Sequence, residues 1–324
     1  MPTSQSLWID ECTTALLTLE PSLTSYANRI CSETNSDSQM PLGNLYYWVG
    51  SRVLGHSEFA LRSLSALWIA VGVLILWRVG VLLHIPHLPT LLACNAFAWY
   101  YAGEVRPYAM QIGLGAGLLY ALVMVLDSTA STRRGFLALA VCGPILCATC
   151  MLAVIPVGLV TVVIVLILVR QQWKPKIADL TIALAATAIT LVLGLYYLWT
   201  LAEAKGSQTV GKWGVGLKNL LFTGYELLGF TGFGPGRYTI RQLGIDGGVA
   251  SALKSLVQLP SAAGTALLAI LYLWAGLRLT RRLRSDHSTD VRVVPSAVVV
   301  TVFSVGLLYL LSVNVSFPFW GRHL

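Results

Sequence analysis

Long apolar runs separated by short polar segments restrict the folds open to this chain more than any other feature. A helix needs about 20 mostly apolar residues to cross a bilayer. The composition also indicates a membrane protein, because 56% hydrophobic and 11% charged residues lie far from the usual values for a soluble domain. The sequence therefore predicts an all-α polytopic membrane protein with about eight transmembrane helices, at residues 62–83, 87–103, 107–126, 135–152, 153–170, 177–201, 258–279 and 293–313.

The apolar block at 135–170 is too long for a single span. As one helix it would extend about 54 Å, whereas the hydrocarbon core is about 30 Å thick. We expect it to fold back into two helices. Pro144 and Pro156 are available to loosen the helix near the turn.

Basic residues are concentrated in three loops between the apolar runs, at 127–134, 170–176 and 278–292. Such clustering is typical of cytoplasmic loops. The net charge of +8 is then explained by membrane orientation, and nucleic acid is excluded as a partner. The candidate site residues, together with residues 1–61 and 202–257, are predicted to lie on the extracytoplasmic face of the cell membrane.

Residues 1–61 are predicted to form an outer loop, and residues 62–324 a transmembrane domain with a second outer loop at 202–257. The apolar pieces 15–19 and 45–49 within the first loop are too short to span. We expect them to form amphipathic helices in the membrane interface, with their aromatic groups at headgroup level.

Asp10 and Glu11 place two adjacent carboxylates close to Trp8 in the sequence. Neighbouring side chains on a helix do not face each other, so only one of the two can address a substrate. The other must contact backbone, a basic partner or water. The alternative interpretation is an acidic helix start with a tryptophan at the bilayer interface.

A second polar cluster, Glu104-Val105-Arg106-Pro107-Tyr108, lies between the second and third apolar runs. Proline fits the first position of a helix, and a helix N-terminus beside an arginine favours anions. Glu104, Arg106 and Tyr108 are therefore predicted to form a phosphate-binding turn. The alternative is a structural ion pair between Glu104 and Arg106.

Three further motifs lead to smaller predictions. Gly113 and Gly117 form a GxxxG motif, which favours close helix packing. The glycine-rich run 229–236 lacks the features of a nucleotide-binding loop and is predicted to be a flexible outer loop. Cys12 and Cys31 share the first loop, and whether they pair is left open.

Four stretches together resemble the membrane glycosyltransferases of the C superfamily: SLWIDE at 6–11, LYY at 45–47, GHSEFALRSLSA at 55–66 and EVRPY at 104–108. Within that superfamily the chain is most similar to bacterial relatives of the dolichyl-phosphate-mannose protein mannosyltransferases (family 39-like). The resemblance covers roughly residues 6–126. Because such enzymes have spans beyond the two ends of this chain, we expect a truncated sequence.

The resemblance implies a polyprenyl-phosphate sugar donor and an inverting transfer on the outer face. It also implies an acidic catalytic base in the first outer loop, which by position is Asp10, with Glu11 beside it. Candidate substrate-binding residues are Tyr46, Tyr47, Arg322 and His323.

The resemblance thus implies a hexosyltransferase embedded in the lipid bilayer, with a glycan, lipid or protein as acceptor. No metal or cofactor is required by this reading. The alternative is a transporter or flippase of a lipid-linked or anionic substrate, which would place ionisable residues within its spans.

Overall fold

A computed structural model describes residues 9–32, 39–126, 132–170, 176–203 and 290–315, with isolated residues at 172–174, 224–228 and 266–277. These residues form helices and turns with no strand. Four of the helices are long and apolar enough to cross a membrane. The prediction of an all-α membrane protein is confirmed at this level, while the count of eight spans stays a prediction.

Eleven α-helices lie in the five continuous described ranges. They are α1 (Ile9–Thr18), α2 (Leu23–Ser32), α3 (Pro41–Leu54), α4 (Glu58–Leu82), α5 (Leu88–Ala93), α6 (Ala96–Ala102), α7 (Tyr108–Leu126), α8 (Thr132–Thr149), α9 (Val154–Arg170), α10 (Ile177–Glu203) and α11 (Asp290–Val315). The four candidate spans are α4, α7, α9 with the turn before it, and most of α10.

The predicted second span at 87–103 is not a continuous helix, so this prediction is wrong in detail. The helix is interrupted at Cys94 and Asn95, which separate α5 from α6. The Asn95 side-chain oxygen accepts hydrogen bonds from the backbone N–H groups of Phe97 and Ala98, at 2.8 and 3.3 Å. Asparagine is a strong N-cap, so it starts a new helix inside an apolar run.

The apolar block 135–170 does fold back on itself, as predicted. The helix α8 ends at Thr149, Cys150 is extended, and α9 begins at Val154 after a short 3-10 turn. A Cβ atom added at Gly143 would lie 3.2 Å from Val157, so the two helices face each other across the break. Pro144 lies inside α8 and Pro156 in the first turn of α9, on either side of the break.

The helix α7 lies at the centre of the described bundle and packs against α4, α8, α9 and α11. Its glycines permit this close approach. A Cβ atom at Gly113 would lie 2.7 Å from the backbone oxygen of Trp68 in α4, and one at Gly117 would lie 2.6 Å from Cys142 Sγ in α8. The GxxxG motif therefore mediates helix packing, as predicted.

Gly113→Ala is expected to destabilise the protein by about 1–3 kcal/mol, because the new methyl group overpacks the α4–α7 contact. Gly115→Ala is the matched control two residues away, where a Cβ atom meets nothing within 4 Å. That control should be neutral or stabilising by up to about 1 kcal/mol through helix propensity. Thermal unfolding of both variants in detergent measures the difference, and equal midpoints would contradict the packing role of Gly113.

An ion pair joins α8 to the start of α10 at the far end of α7. Arg133 Nε lies 2.6 Å from Asp179 Oδ1, and Asp179 Oδ2 accepts the Lys176 N–H at 3.1 Å. The basic segments near 133 and 176 therefore lie at the same end of the bundle, in agreement with their predicted common side. The helix α7 has 19 residues, so this end of the bundle lies about 28 Å from the turn that precedes Tyr108.

Candidate functional site

The acidic motif on α1 contacts the turn between α6 and α7. Glu11 Oε1 accepts the Val105 N–H at 2.7 Å, although the two residues are 94 positions apart. Glu11 Oε2 lies 3.6 Å from Arg62 Nη2, and the same Arg62 nitrogen lies 2.8 Å from Glu58 in the first turn of α4. Glu11 is 2% exposed, so its carboxylate is directed at backbone and a basic partner, as predicted for one of the two acids.

Two hydroxyl groups hold the carbonyl groups of the same turn. Tyr47 on α3 donates to the Arg106 carbonyl oxygen at 2.8 Å, and Ser65 on α4 donates to the Glu104 carbonyl oxygen. The two hydroxyl oxygens lie 2.6 Å apart. Side chains from α1, α3 and α4 therefore fix three consecutive residues of the turn.

The Tyr47 hydroxyl is suited to this role over a wide pH range. It is fully buried, and burial raises the pKa of the phenol above its ordinary value. Because the neutral phenol carries the proton that it donates, the bond to the Arg106 carbonyl group persists at neutral pH. This one hydrogen bond is thus insensitive to physiological changes in pH.

The Arg106 side chain is buried against α1, about one helical turn after Glu11. Its Nη1 donates to Thr14 Oγ1 at 3.1 Å and lies 3.4 Å from Thr13 Oγ1, while Thr14 in turn donates to Asn44 Oδ1 at 3.3 Å. The Tyr108 ring centroid lies 6.0 Å from Arg106 Cζ. The guanidinium group therefore lies among hydroxyl groups and an aromatic face.

Close packing of α3 against Pro107 holds this arrangement together. A Cβ atom at Gly43 would lie 2.4 Å from the Pro107 ring carbons, so only glycine allows the contact. Glu104 is also buried, and both Glu104 and Arg106 act electrostatically on the Tyr47 phenol. The Glu11 carboxylate lies near Arg62 and the Arg106 guanidinium group donates to Thr14, which reduces the cost of burying these two charges.

The structure brings together most of the residues predicted from sequence. Glu11, Tyr47 and Tyr108 lie around the turn formed by Glu104, Val105 and Arg106. An ion pair between Glu104 and Arg106 stays the alternative interpretation. Tyr46 lies beside Tyr47, with its ring 5.6 Å away, and donates to the Leu64 carbonyl oxygen at 3.0 Å. Asp10 lies on α1 immediately before Glu11.

Other predicted features differ or lie elsewhere. Tyr47, one of the aromatic residues expected at headgroup level, is 1% exposed and packs inside the protein with its hydroxyl on the Arg106 carbonyl oxygen. Its level in the membrane stays a prediction. Cys12 and Cys31 are free thiols. Arg322, His323 and the glycine-rich run 229–236 lie outside the described residues.

Sequence reasoning missed the polar residues that support the turn, namely Thr13, Thr14, Asn44 and Ser65. One signal was available, since Thr14 follows Glu11 by three residues and Ser65 follows Arg62 by three. That spacing places each pair on one helix face, and a buried polar pair requires a hydrogen-bond partner.

No family model, curated protein or solved structure gives a significant match to this chain.

Proposed function

We propose that this protein is a membrane glycosyltransferase that moves a sugar from a polyprenyl-phosphate donor to an acceptor hydroxyl on the outer face, with inversion at the sugar carbon. The resemblance of residues 6–11 and 104–108 to the C superfamily supports this class. The proposal includes the eight transmembrane helices predicted from the sequence.

The observation that carries the proposal is the hydrogen bond between Glu11 and the Val105 N–H. It joins the acidic motif to the predicted phosphate-binding turn. A transferase needs a base and a leaving-group site near each other, because the acceptor hydroxyl that the base deprotonates attacks the same sugar carbon that the phosphate leaves. These two motifs are widely separated in sequence and adjacent in the fold.

Asp10 is the proposed general base. The Glu11 carboxylate is already occupied by Val105 and Arg62. Successive side chains on a helix diverge by about 100°, so Asp10 is expected to address a different region from Glu11. A positioned carboxylate of this kind contributes about 10²- to 10⁴-fold in rate.

In the proposed step, the acceptor oxygen attacks the anomeric carbon as its proton passes to the Asp10 carboxylate. The bond from that carbon to the phosphate oxygen breaks, and its electron pair stays on the phosphate. Arg106 and the N-terminal turn of α7 stabilise the departing phosphate, since both present positive charge to an anion. Each well-placed donor is worth about 10²- to 10³-fold.

A transporter or flippase is the second candidate, and the placement of charge disfavours it. The buried charged residues in the described ranges are Glu11, Glu104, Arg106 and Asp179. Each lies in a turn or within three residues of the start of a helix. Transporters instead place such groups near the middle of the membrane.

The test uses the full chain in liposomes with a radiolabelled synthetic polyprenyl-phosphate hexose and hydroxyl-bearing acceptors extracted from cell envelopes. A transferase produces free polyprenyl phosphate together with labelled acceptor. Movement of intact donor between leaflets without cleavage would support the transporter and contradict the proposed function.

A further inference from the structure

A groove of about 460 Å³ lies between α8, α9 and α10, within the range of roughly 300–1,000 Å³ that is typical of ligand sites. Small residues from all three helices line it, namely Ala140, Gly143, Gly158 and Ala183. A Cβ atom added at Gly158 would meet nothing within 4 Å. The small size of these residues therefore creates the space between the three helices.

The lining of the groove is apolar apart from three threonines, and two of these bind their own helix. Thr161 Oγ1 donates to the Val157 carbonyl oxygen at 2.7 Å, and Thr190 Oγ1 donates to the Ala186 carbonyl oxygen at 2.8 Å. A hydroxyl group bonded to its own helix in this way has no proton left to donate to a ligand. The groove therefore suits a hydrocarbon chain better than a sugar or an ion.

The length of the groove matches one acyl chain of a bilayer lipid. On α9 the lining residues extend from Val154 to Leu168, a rise of about 21 Å, whereas half of the hydrocarbon core is about 15 Å thick. Val162 and Val165 also line the groove and are exposed large hydrophobic residues of a candidate membrane span. The groove is therefore open to the surroundings of the bundle, which in a membrane are acyl chains.

One end of the groove is basic. The lining residue Phe136 follows Arg134 by two positions, and the lining residue Leu168 precedes Arg170 by two positions. The ion pair that joins α8 to α10 lies at this same end and neutralises the buried carboxylate of Asp179. Four further basic residues at this end are exposed: Arg134, Arg170, Lys174 and Lys176. The end of the groove therefore attracts anions.

We propose that an anionic glycerophospholipid of the bilayer binds here, with one acyl chain in the groove and its phosphate group at the basic end. A lipid of this kind matches both features, because it carries a hydrocarbon chain next to a negative charge. Basic pockets between transmembrane helices on the cytoplasmic side are typical sites for acidic lipid headgroups. The basic end of the groove is predicted to be cytoplasmic, and long lysine and arginine side chains reach the headgroups from helix ends.

The bound lipid adds packing where α10 has little of its own. Among the described side chains of α10, the buried ones are Asp179 and Tyr197, near its two ends. Ala183 and Thr187, between them, line the groove. An acyl chain in the groove therefore contacts the middle of this helix. This site does not depend on the proposed glycosyl transfer.

The test measures lipid binding by native mass spectrometry, with the full chain purified in detergent and stripped of lipid. The probes are phosphatidylglycerol and phosphatidylcholine with identical acyl chains, and phosphatidylglycerol is expected to bind more tightly. Arg134→Gln and Arg170→Gln should each weaken phosphatidylglycerol binding roughly fivefold, the equivalent of about 1 kcal/mol per basic residue near an anionic lipid. Arg78→Gln removes an exposed arginine of α4, and this matched control should bind the lipid as the unaltered chain does.

A second pair of variants tests the groove itself. Gly158→Phe puts a ring into the groove without a clash at Cβ and should abolish binding at a phosphatidylglycerol concentration that saturates the unaltered chain. Gly194→Phe is the matched control, because a Cβ atom there also meets nothing within 4 Å but the residue does not line the groove. Gel filtration verifies that each variant is folded. A photoreactive benzophenone amino acid at position 158, in membranes, should crosslink to lipid.

Several results would overturn the proposal. One is equal binding of the two phospholipids by the unaltered chain, and another is equal binding by the Gly158→Phe and Gly194→Phe proteins. Crosslinking from position 158 to the predicted span 258–279 would show that a helix of this chain fills the groove instead of lipid. Displacement of phosphatidylglycerol by an equal concentration of polyprenyl phosphate would assign the groove to the proposed sugar donor.

Discussion

Replacing Arg106 with alanine is expected to weaken binding of the lipid-phosphate donor roughly ten- to a hundredfold, because a charge-assisted hydrogen bond contributes about 1.5–3 kcal/mol. The basis is the position of Arg106 directly before Pro107 and the first turn of α7. Donor affinity measured by competition with a fluorescent polyprenyl phosphate tests this. Arg106→Lys should recover part of the affinity, since it restores the charge but not the planar fork.

Thr14→Val helps to decide whether Arg106 binds phosphate or only supports the fold. It removes the hydroxyl group that accepts from Arg106 and nearly preserves side-chain shape. If Arg106 is only structural, Thr14→Val and Arg106→Ala should lower the unfolding midpoint and leave donor affinity unchanged. Unchanged affinity in a folded Arg106→Ala protein would remove the phosphate role and leave the buried contact to α1 as its sole function.

Hydropathy predicted the long helices well, because crossing a membrane requires long uninterrupted apolar runs. The run at 107–126 corresponds to α7 (Tyr108–Leu126), and the fold-back in 135–170 follows from membrane thickness alone. The break between α5 and α6 was missed for a physical reason. Averaged hydropathy is insensitive to one asparagine, although Asn95 can start a helix by capping two N–H groups.

The candidate site was predictable only in part. Glu11, Tyr47, Glu104 and Arg106 were identified by their residue types and by the resemblance, but their mutual contacts depend on how distant helices pack. Nothing in the sequence near Thr14 indicates that its hydroxyl accepts from a guanidinium group 92 positions away. Likewise, the sequence does not show that Asn44, Tyr47 and Ser51 form the buried face of α3.

Asp10→Asn is expected to reduce sugar transfer by about two to four powers of ten, because it keeps the shape of the side chain and removes the base. Glu11→Gln should act differently. The amide oxygen can still accept the Val105 N–H, but the charge opposite Arg62 is lost. That variant should be destabilised by about 1–3 kcal/mol, with turnover per folded molecule largely retained.

The most direct measurement compares the two variants with the unaltered chain in the same liposomes, following cleavage of the polyprenyl-phosphate sugar donor. Thermal unfolding of each protein normalises the rates to the folded fraction. The expected result is a folded Asp10→Asn protein with almost no donor cleavage and a less stable Glu11→Gln protein that still turns over donor. Donor cleavage by Asp10→Asn at the rate of the unaltered chain would contradict the assignment of Asp10 as the base.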